Sequence, residues 1–348
     1  MKRLSISIAI FLLIATVQLF SAKNIIVQNG ATSTAYETLA EAIAGANNGD
    51  IVYVSAGSYD VNNLEVNKGV HIIGAGYNPY TASATGTTVF TSNFRIMTGA
   101  DGGSLQGVYV SGSISFGTSD ENSTVNNYTI SRCYVNTIML SWYWAGKQSG
   151  SNFTITENVI EGAVYGGDAT NLVFSNNILF QTATVARPIT YFKNALVTNN
   201  ILISVDDIMG NMVTGTTFRN NIIPVGGLQV INSYSDNLYL NNLYCRPEGL
   251  FSYGVVQSAG NVLIDRDKLF INQAGDKYNF KDNYHLTQEA TEAITGTDGT
   301  EVGIYGGDYP FKDGGAPLNP QIIEKNVSTS TNPQGHLKVE IKVKAQNK

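Results

Sequence analysis

Charged residues are scarce in this chain: Lys+Arg number 21 and Asp+Glu 27 among 348 residues, 14% of the whole. An ordinary globular chain holds about a quarter, and so thin a supply excludes a charged coiled coil. The balance of −6 also argues against nucleic acid, which demands a concentrated basic surface. Proline, at 8 residues, is too sparse for a collagen or a Pro-rich disordered chain. Histidine occurs only at 71, 285 and 336, too scattered for a metal constellation. His71 sits in an apolar strand and reads as a satisfied core residue. What is abundant is glycine, at 35 residues, and asparagine, at about one residue in ten.

Long apolar runs are absent beyond the first twenty residues. Lys2 and Arg3 precede an apolar stretch from Ile6 to Phe20, followed by the small residues Ser21 and Ala22. A basic start, a short apolar stretch and a small-residue exit predict a secretory signal peptide over 1–22. The run is short for a hydrocarbon core of ~30 Å, so no membrane insertion is expected. Removing the leader leaves 19 positive against 27 negative charges. A secreted protein, extracellular or at the cell surface, is the expectation.

Internal repetition is the strongest signal. FTITENVIEG (153–162), LVFSNNILF (172–180), ALVTNNILIS (195–204), TTFRNNIIPV (216–225), LYLNNLYC (238–245) and AGNVLID (259–265) share one pattern. Each is a short strand, a polar pair that is usually Asn-Asn, and a second strand. The last Asn of each falls at 158, 177, 200, 221, 242 and 261, with gaps of 19, 23, 21, 21 and 19 residues. YTISRCYVNTIM (128–139) fits one step earlier with Cys133 at the marker, and LQGVYVSGSISF (105–116) earlier still with Gly107.

A period near 21 built from short strands marks a stacked solenoid. There is no Leu framework for a leucine-rich repeat, and a propeller blade needs about twice the length. A parallel β-helix remains, all-β, with identical side chains stacked ~4.8 Å apart. Stacked Asn amides would hydrogen-bond along the column, and Asn tolerates the left-handed backbone of a tight turn. Roughly twelve coils over 24–309 follow at this period. The cysteines at 133 and 245 are then five coils apart, ~24 Å, too far for a disulfide, which requires Cα atoms within ~7 Å.

YETLAEAIAGANNGDIVYVSAGSYD (36–60) followed by KGVHIIGAG (68–76) resembles the opening of right-handed parallel β-helix proteins of the pectin-lyase-like superfamily. The resemblance implies a helix, here Leu39, Ala42, Ile43 and Ala46 at helical spacing, that caps the solenoid's open end. DNYHLTQEATEAITGTDGTEVGIYGGDYPF (282–311) is similar to the closing segment of many secreted bacterial β-helices, but departs from their Ser-Pro-Ala at Thr291-Glu292-Ala293. These segments divide the chain into a leader (1–22), a β-helix domain (23–309) and an extended tail (310–348). The tail carries the strand HLKVEIKVKA (336–345), whose Lys residues suit a guarded edge. The self-capped unit is expected as a monomer.

In the resembled enzymes the substrate groove runs along the variable-loop side. Trp142 and Trp144 follow their marker at +9 and +11, Tyr165 and Asp168 at +7 and +10, Arg187 at +10, Asp206 and Asp207 at +6 and +7. If offset equals register, these side chains form one strip. Trp142, Trp144 and Tyr165 would stack on pyranose rings. Asp168, Arg187, Asp206 and Asp207 would bind hydroxyls or do chemistry: paired carboxylates for glycoside hydrolysis, or, as the resemblance implies, an Arg base and an Asp-held Ca²⁺ for a polysaccharide lyase. No catalytic motif of those families is legible, so a binder of polysaccharide or cell-surface glycan, needing no cofactor, is the first expectation. A lyase or hydrolase is the second. Asn122, Asn127, Asn152 and Asn326 match the N-glycosylation acceptor pattern.

Overall fold

The computed structural model describes residues 25–119, 121–141, 149–181, 188–208, 212–227, 236–246, 255–273 and 275–345, by backbone alone at 205–207, 226–227 and 255–257. These residues build a parallel β-solenoid of about seven turns. Each turn lays one strand in a first sheet and one in a second, so sequence neighbours alternate between sheets while spatial neighbours are one coil apart. Less regular strands, Ile51–Val54, His71–Ile73 and Ser104–Gln106, extend the first sheet on the N-terminal side. There the antiparallel pair Ile25–Asn29 and Thr32–Tyr36 completes its edge. Close by, the helix Leu39–Gly45 starts at a Thr38–Glu41 capping box and buries Leu39, Ala42 and Ile43. No helix among the described residues is long and apolar enough to cross a membrane.

The first sheet is built from three-residue strands such as Thr154–Thr156, Val173–Ser175 and Leu196–Thr198. With only three residues, the central one alone points inward, and it is always apolar. Ile130, Ile155, Phe174, Val197, Phe218 and Tyr239 therefore stand in one register column and fill the lumen. From the second sheet, Val110, Val135, Ile160, Leu179, Leu202 and Ile223 close the same core.

The polar pair between the strands divides its work between two residues. The first member holds the left-handed backbone: φ is 53° at Arg132, 57° at Glu157, 54° at Asn176, 57° at Asn199, 55° at Asn220 and 57° at Asn241. The second member carries the ladder. Nδ2 of Asn158 donates to Oδ1 of Asn177 at 3.0 Å, and the bond repeats to Asn200 (3.1 Å), Asn221 (2.9 Å), Asn242 (3.0 Å) and Asn261 (2.9 Å). Each Oδ1 also accepts the backbone N–H of the Asn one coil earlier, for example Asn177 N at 2.8 Å from Asn200. The ladder thus lies where the sequence places it, but the strained backbone belongs to the residue before. Tyr109 pairs with Tyr134, so Val108 rather than Gly107 shares the column of Cys133, and Gly107 (φ 69°) takes the left-handed place. A second, exposed ladder runs through Asn127, Asn152 and Asn171, with amide contacts of 2.8 and 2.9 Å. It absorbs two of the residues that match the glycosylation pattern.

The second sheet is apolar on both faces. Its strands read Ile178-Leu179-Phe180, Ile201-Leu202-Ile203 and Ile222-Ile223, consecutive rather than alternating. The outward members Val159, Ile178, Ile201, Ile222 and Leu243 are buried in a second core. Its cover comes from the chain beyond Leu263, which turns through Arg266–Lys268, the antiparallel pair Phe270–Asn272 and Asn283–Leu286, and the helix Gln288–Ala293. From there it runs back toward the N-terminal end, pinned to the left-handed residues coil by coil. Asn241 Nδ2 donates to Thr295 O (2.7 Å), Gly303 N to Asn220 O (2.8 Å), Asn176 Nδ2 to Ile304 O (2.9 Å), and Arg132 Nη1 to Ala316 O (2.9 Å). Pro317 then packs beside Gly107. The flank-hugging segment is therefore longer than the tail expected from Pro310 onward, and residues 264–317 add a covering layer instead of further coils. About seven turns stand where roughly twelve were expected: this layer takes the place of about two coils at a period near 21, and residues 25–103 form the helix, the antiparallel pair and the less regular N-terminal strands.

Three smaller points complete the fold. His71 lies half-buried on the outer face, Nδ1 2.9 Å from Ser104 Oγ, and not in the core. Both cysteines are free, Cys133 buried and Cys245 half-buried. The last strand, Leu337–Lys344, forms an antiparallel two-stranded sheet with Gln321–Thr331.

Candidate functional site

The strip read from the sequence is only partly described. Trp142, Trp144 and Arg187 lie outside the described residues, and Asp206 and Asp207 are placed by backbone alone in the strand Ile201–Asp207. Tyr165 belongs to the short strand Val164–Tyr165, which pairs with Ile138–Met139 on one side and Ile189–Thr190 on the other. Val164, buried, points inward; Tyr165 is half-buried on the outside. Three residues on, the Asp168 backbone N–H donates to Ser149 Oγ (3.2 Å), and its carboxylate meets the Lys193 ammonium. Both side chains are about one-third exposed, 34% and 38%, so the pair contributes under ~1 kcal/mol.

Lys193 was not singled out in the sequence because offset and register part company here. Val164 stands six residues after Asn158, whereas its partner Ile189 stands twelve after Asn177. The longer loop of that coil shifts everything behind it by six. Lys193 thereby reaches the coil position of Asp168. Among the described residues no three His, Cys, Asp or Glu side chains gather as metal ligands.

A second surface gathers aromatic rings. On the outward column of the second sheet, Tyr109 and Tyr134 are neighbours with ring centroids 5.1 Å apart. Tyr77 packs beneath at 5.9 Å from Tyr134. Phe280 crosses 6.0 Å from Tyr134 and 6.3 Å from Tyr80, and packs on Tyr77 (6.3 Å) and Tyr278 (5.4 Å). Tyr80 is 61% and Phe280 37% exposed. Local turns aim both: Asn78 Oδ1 accepts the Tyr80 N–H (2.9 Å), and Asn279 Oδ1 accepts the Lys281 N–H (2.9 Å) beside Phe280. Lys281 Nζ stands 5.5 Å over the Tyr80 ring. At the other side, Tyr134 Oη donates to Glu161 Oε2 (3.4 Å). Burial, and then the Glu161 charge, pushes the Tyr134 phenol up, so it stays a neutral donor. Exposed Asn136, on the strand of Tyr134, completes the rim.

Such a shelf offers open ring faces with an amide, a carboxylate, an ammonium and phenol hydroxyls at its border, the ingredients for the apolar and polar faces of a sugar ring. The four aromatic residues span positions 80 to 280; the repeat joins Tyr109 to Tyr134, and no periodicity joins Tyr80 or Phe280 to them. Compared with family models, curated proteins and solved structures, the chain matches none.

Proposed function

We propose that this protein is an exported, right-handed parallel β-helix of the pectin-lyase-like kind that binds polysaccharide on its outer flank. The observation that carries the reading is the Tyr80–Phe280–Tyr134–Tyr109 shelf, whose exposed rings lie beside Glu161, Asn136 and Lys281. Right-handedness follows from the rule for parallel crossover connections. The leader-like residues 1–22 support export, and the helix Leu39–Gly45, with its apolar side in the lumen core, suits a cap. The strip around Tyr165 and Asp168, with Trp142, Trp144, Arg187, Asp206 and Asp207, is a second contact region for the same chain of sugars.

Binding of neutral and uronate oligosaccharides, measured by calorimetry with and without Ca²⁺, tests this. Tyr80→Ala should weaken binding roughly tenfold or more and leave the melting temperature nearly unchanged, because that ring is 61% exposed. Unchanged affinity in that variant, or no binding of any glycan by the unaltered protein, would end the proposal. Release of unsaturated products or new reducing ends would turn the reading toward a lyase or hydrolase.

A further inference from the structure

Six of the thirteen exposed large apolar side chains among the described residues belong to the hairpin Gln321–Lys344: Ile323, Val327, Leu337, Val339, Ile341 and Val343, each 39–54% exposed. The register explains the grouping. Leu337, Val339, Ile341 and Val343 alternate along one strand and share a face, and Val327 and Ile322 stand opposite Val339 and Val343 on it. The other face pairs Glu324 with Lys342 and Asn326 with Glu340. A two-stranded ribbon is marginal in water unless its apolar face is covered; Gln321 and Ile322 are half-buried at its base, and from Val339 to its tip the apolar face is exposed.

Charge says what covers it. Residues 321–345 hold Lys325, Lys338, Lys342 and Lys344 against Glu324 and Glu340, a balance of +2 in a chain of −6, so the remainder carries −8. A second copy is a poor cover: Lys325 stands opposite Ile341 within the apolar face, and face-to-face pairing would bury it against its twin. At a lipid interface the same Lys extends its ammonium to the headgroups while its stem stays apolar. We infer that the hairpin lies flat on an anionic lipid surface, apolar face down, and tethers the glycan-binding flank there without spanning the bilayer. Eight residues of Leu337–Lys344 reach only ~27 Å at strand rise; Lys338, Lys342 and Lys344 lie on the opposite, polar face, and an apolar face backed by a Lys-bearing polar one is the pattern that binds membrane interfaces.

The test is co-sedimentation of the exported chain with vesicles of phosphatidylcholine alone and with added phosphatidylglycerol, alongside analytical ultracentrifugation without lipid. The protein should pellet with the anionic vesicles, less so at high salt. Val339→Ser with Ile341→Ser, and separately Lys325→Glu with Lys342→Glu, should each reduce binding roughly tenfold or more. Both variants should keep the melting temperature of the solenoid, since the hairpin is a separate sheet. Vesicle binding that neither variant alters would overturn the inference. So would no binding, whether the chain stays monomeric or forms a dimer that the Ser variant dissolves.

Discussion

Asn176 and Ile304 are 128 residues apart in the chain, and Nδ2 of the first donates to the carbonyl of the second at 2.9 Å. The same amide reaches Gly306 O at 2.7 Å. One side chain thus both takes the left-handed turn (φ 54°) and fastens the returning layer to its coil. Replacing it by Gly keeps the turn and removes the clamp; replacing it by Ala loses both. Asn176→Gly should cost about 2 kcal/mol for two lost buried carbonyl partners, and Asn176→Ala about 1 kcal/mol more for the backbone. Chemical denaturation of the two variants measures the difference, and amide exchange at 302–306 should rise in both.

The buried ladder should be far less tolerant than the exposed one. Asn200 accepts from Asn177 N–H and Nδ2, and donates to Phe174 O (2.9 Å) and Asn221 Oδ1 (2.9 Å). Asn200→Ala leaves several buried groups unpaired and should cost ~3 kcal/mol or more. Asn171→Gly keeps the left-handed turn (φ 54°), removes one exposed amide contact and should cost under ~1 kcal/mol. Similar losses in the two variants, read by urea titration, would mean that burial does not separate the ladders.

How much of this was open to reading in the sequence depends on the range of the interaction. The period, the Asn column and the parallel stacking all follow from contacts one coil apart, and the repeats display them. The one-residue error at Gly107 arose because Cys133 and Val108 break the Asn pattern while keeping its geometry. The second core was present as consecutive apolar pairs such as Ile201-Leu202, which a strand shows only when both faces are covered. Offset departs from register behind Asn177 because the loop to Ile189 is six residues longer than the loop from Asn158 to Val164. The shelf was invisible, since Tyr80 meets Phe280 only after residues 264–317 have folded back.

The cysteines should behave as unreactive, unbridged thiols. Burial pushes Cys133 up to about 12, and Cys245, half-buried, up to about 11 by the same cause. The thiolate is the nucleophile, so reaction with a thiol reagent should be slow at pH 8 and quicken as pH rises toward 11, at Cys245 first. Unfolding in denaturant should release two thiols to rapid titration. Prompt labelling of Cys133 in the native protein at pH 8, or a 133–245 bridge in its mass spectrum, would contradict the register.

Gly303 adopts φ +82°, and a Cβ there would lie 2.3 Å from Ile222 Cδ1. Gly303→Ala should therefore lift the returning layer at one point, at a cost of about 1–3 kcal/mol. Proteolysis within 295–317 should begin earlier in this variant than in the unaltered chain. An unchanged cleavage rate would mean that the layer is not seated on Ile222.

Two alanine variants one residue apart decide whether the solenoid has one core or two. Leu202 points into the lumen and Ile201 points out beneath the returning layer, and both are fully buried. Equilibrium urea unfolding should give losses of about 2–5 kcal/mol for Leu202→Ala and for Ile201→Ala alike. A loss at Leu202 with Ile201→Ala within ~0.5 kcal/mol of the unaltered protein would show that the outer face is open to water and that no second core exists.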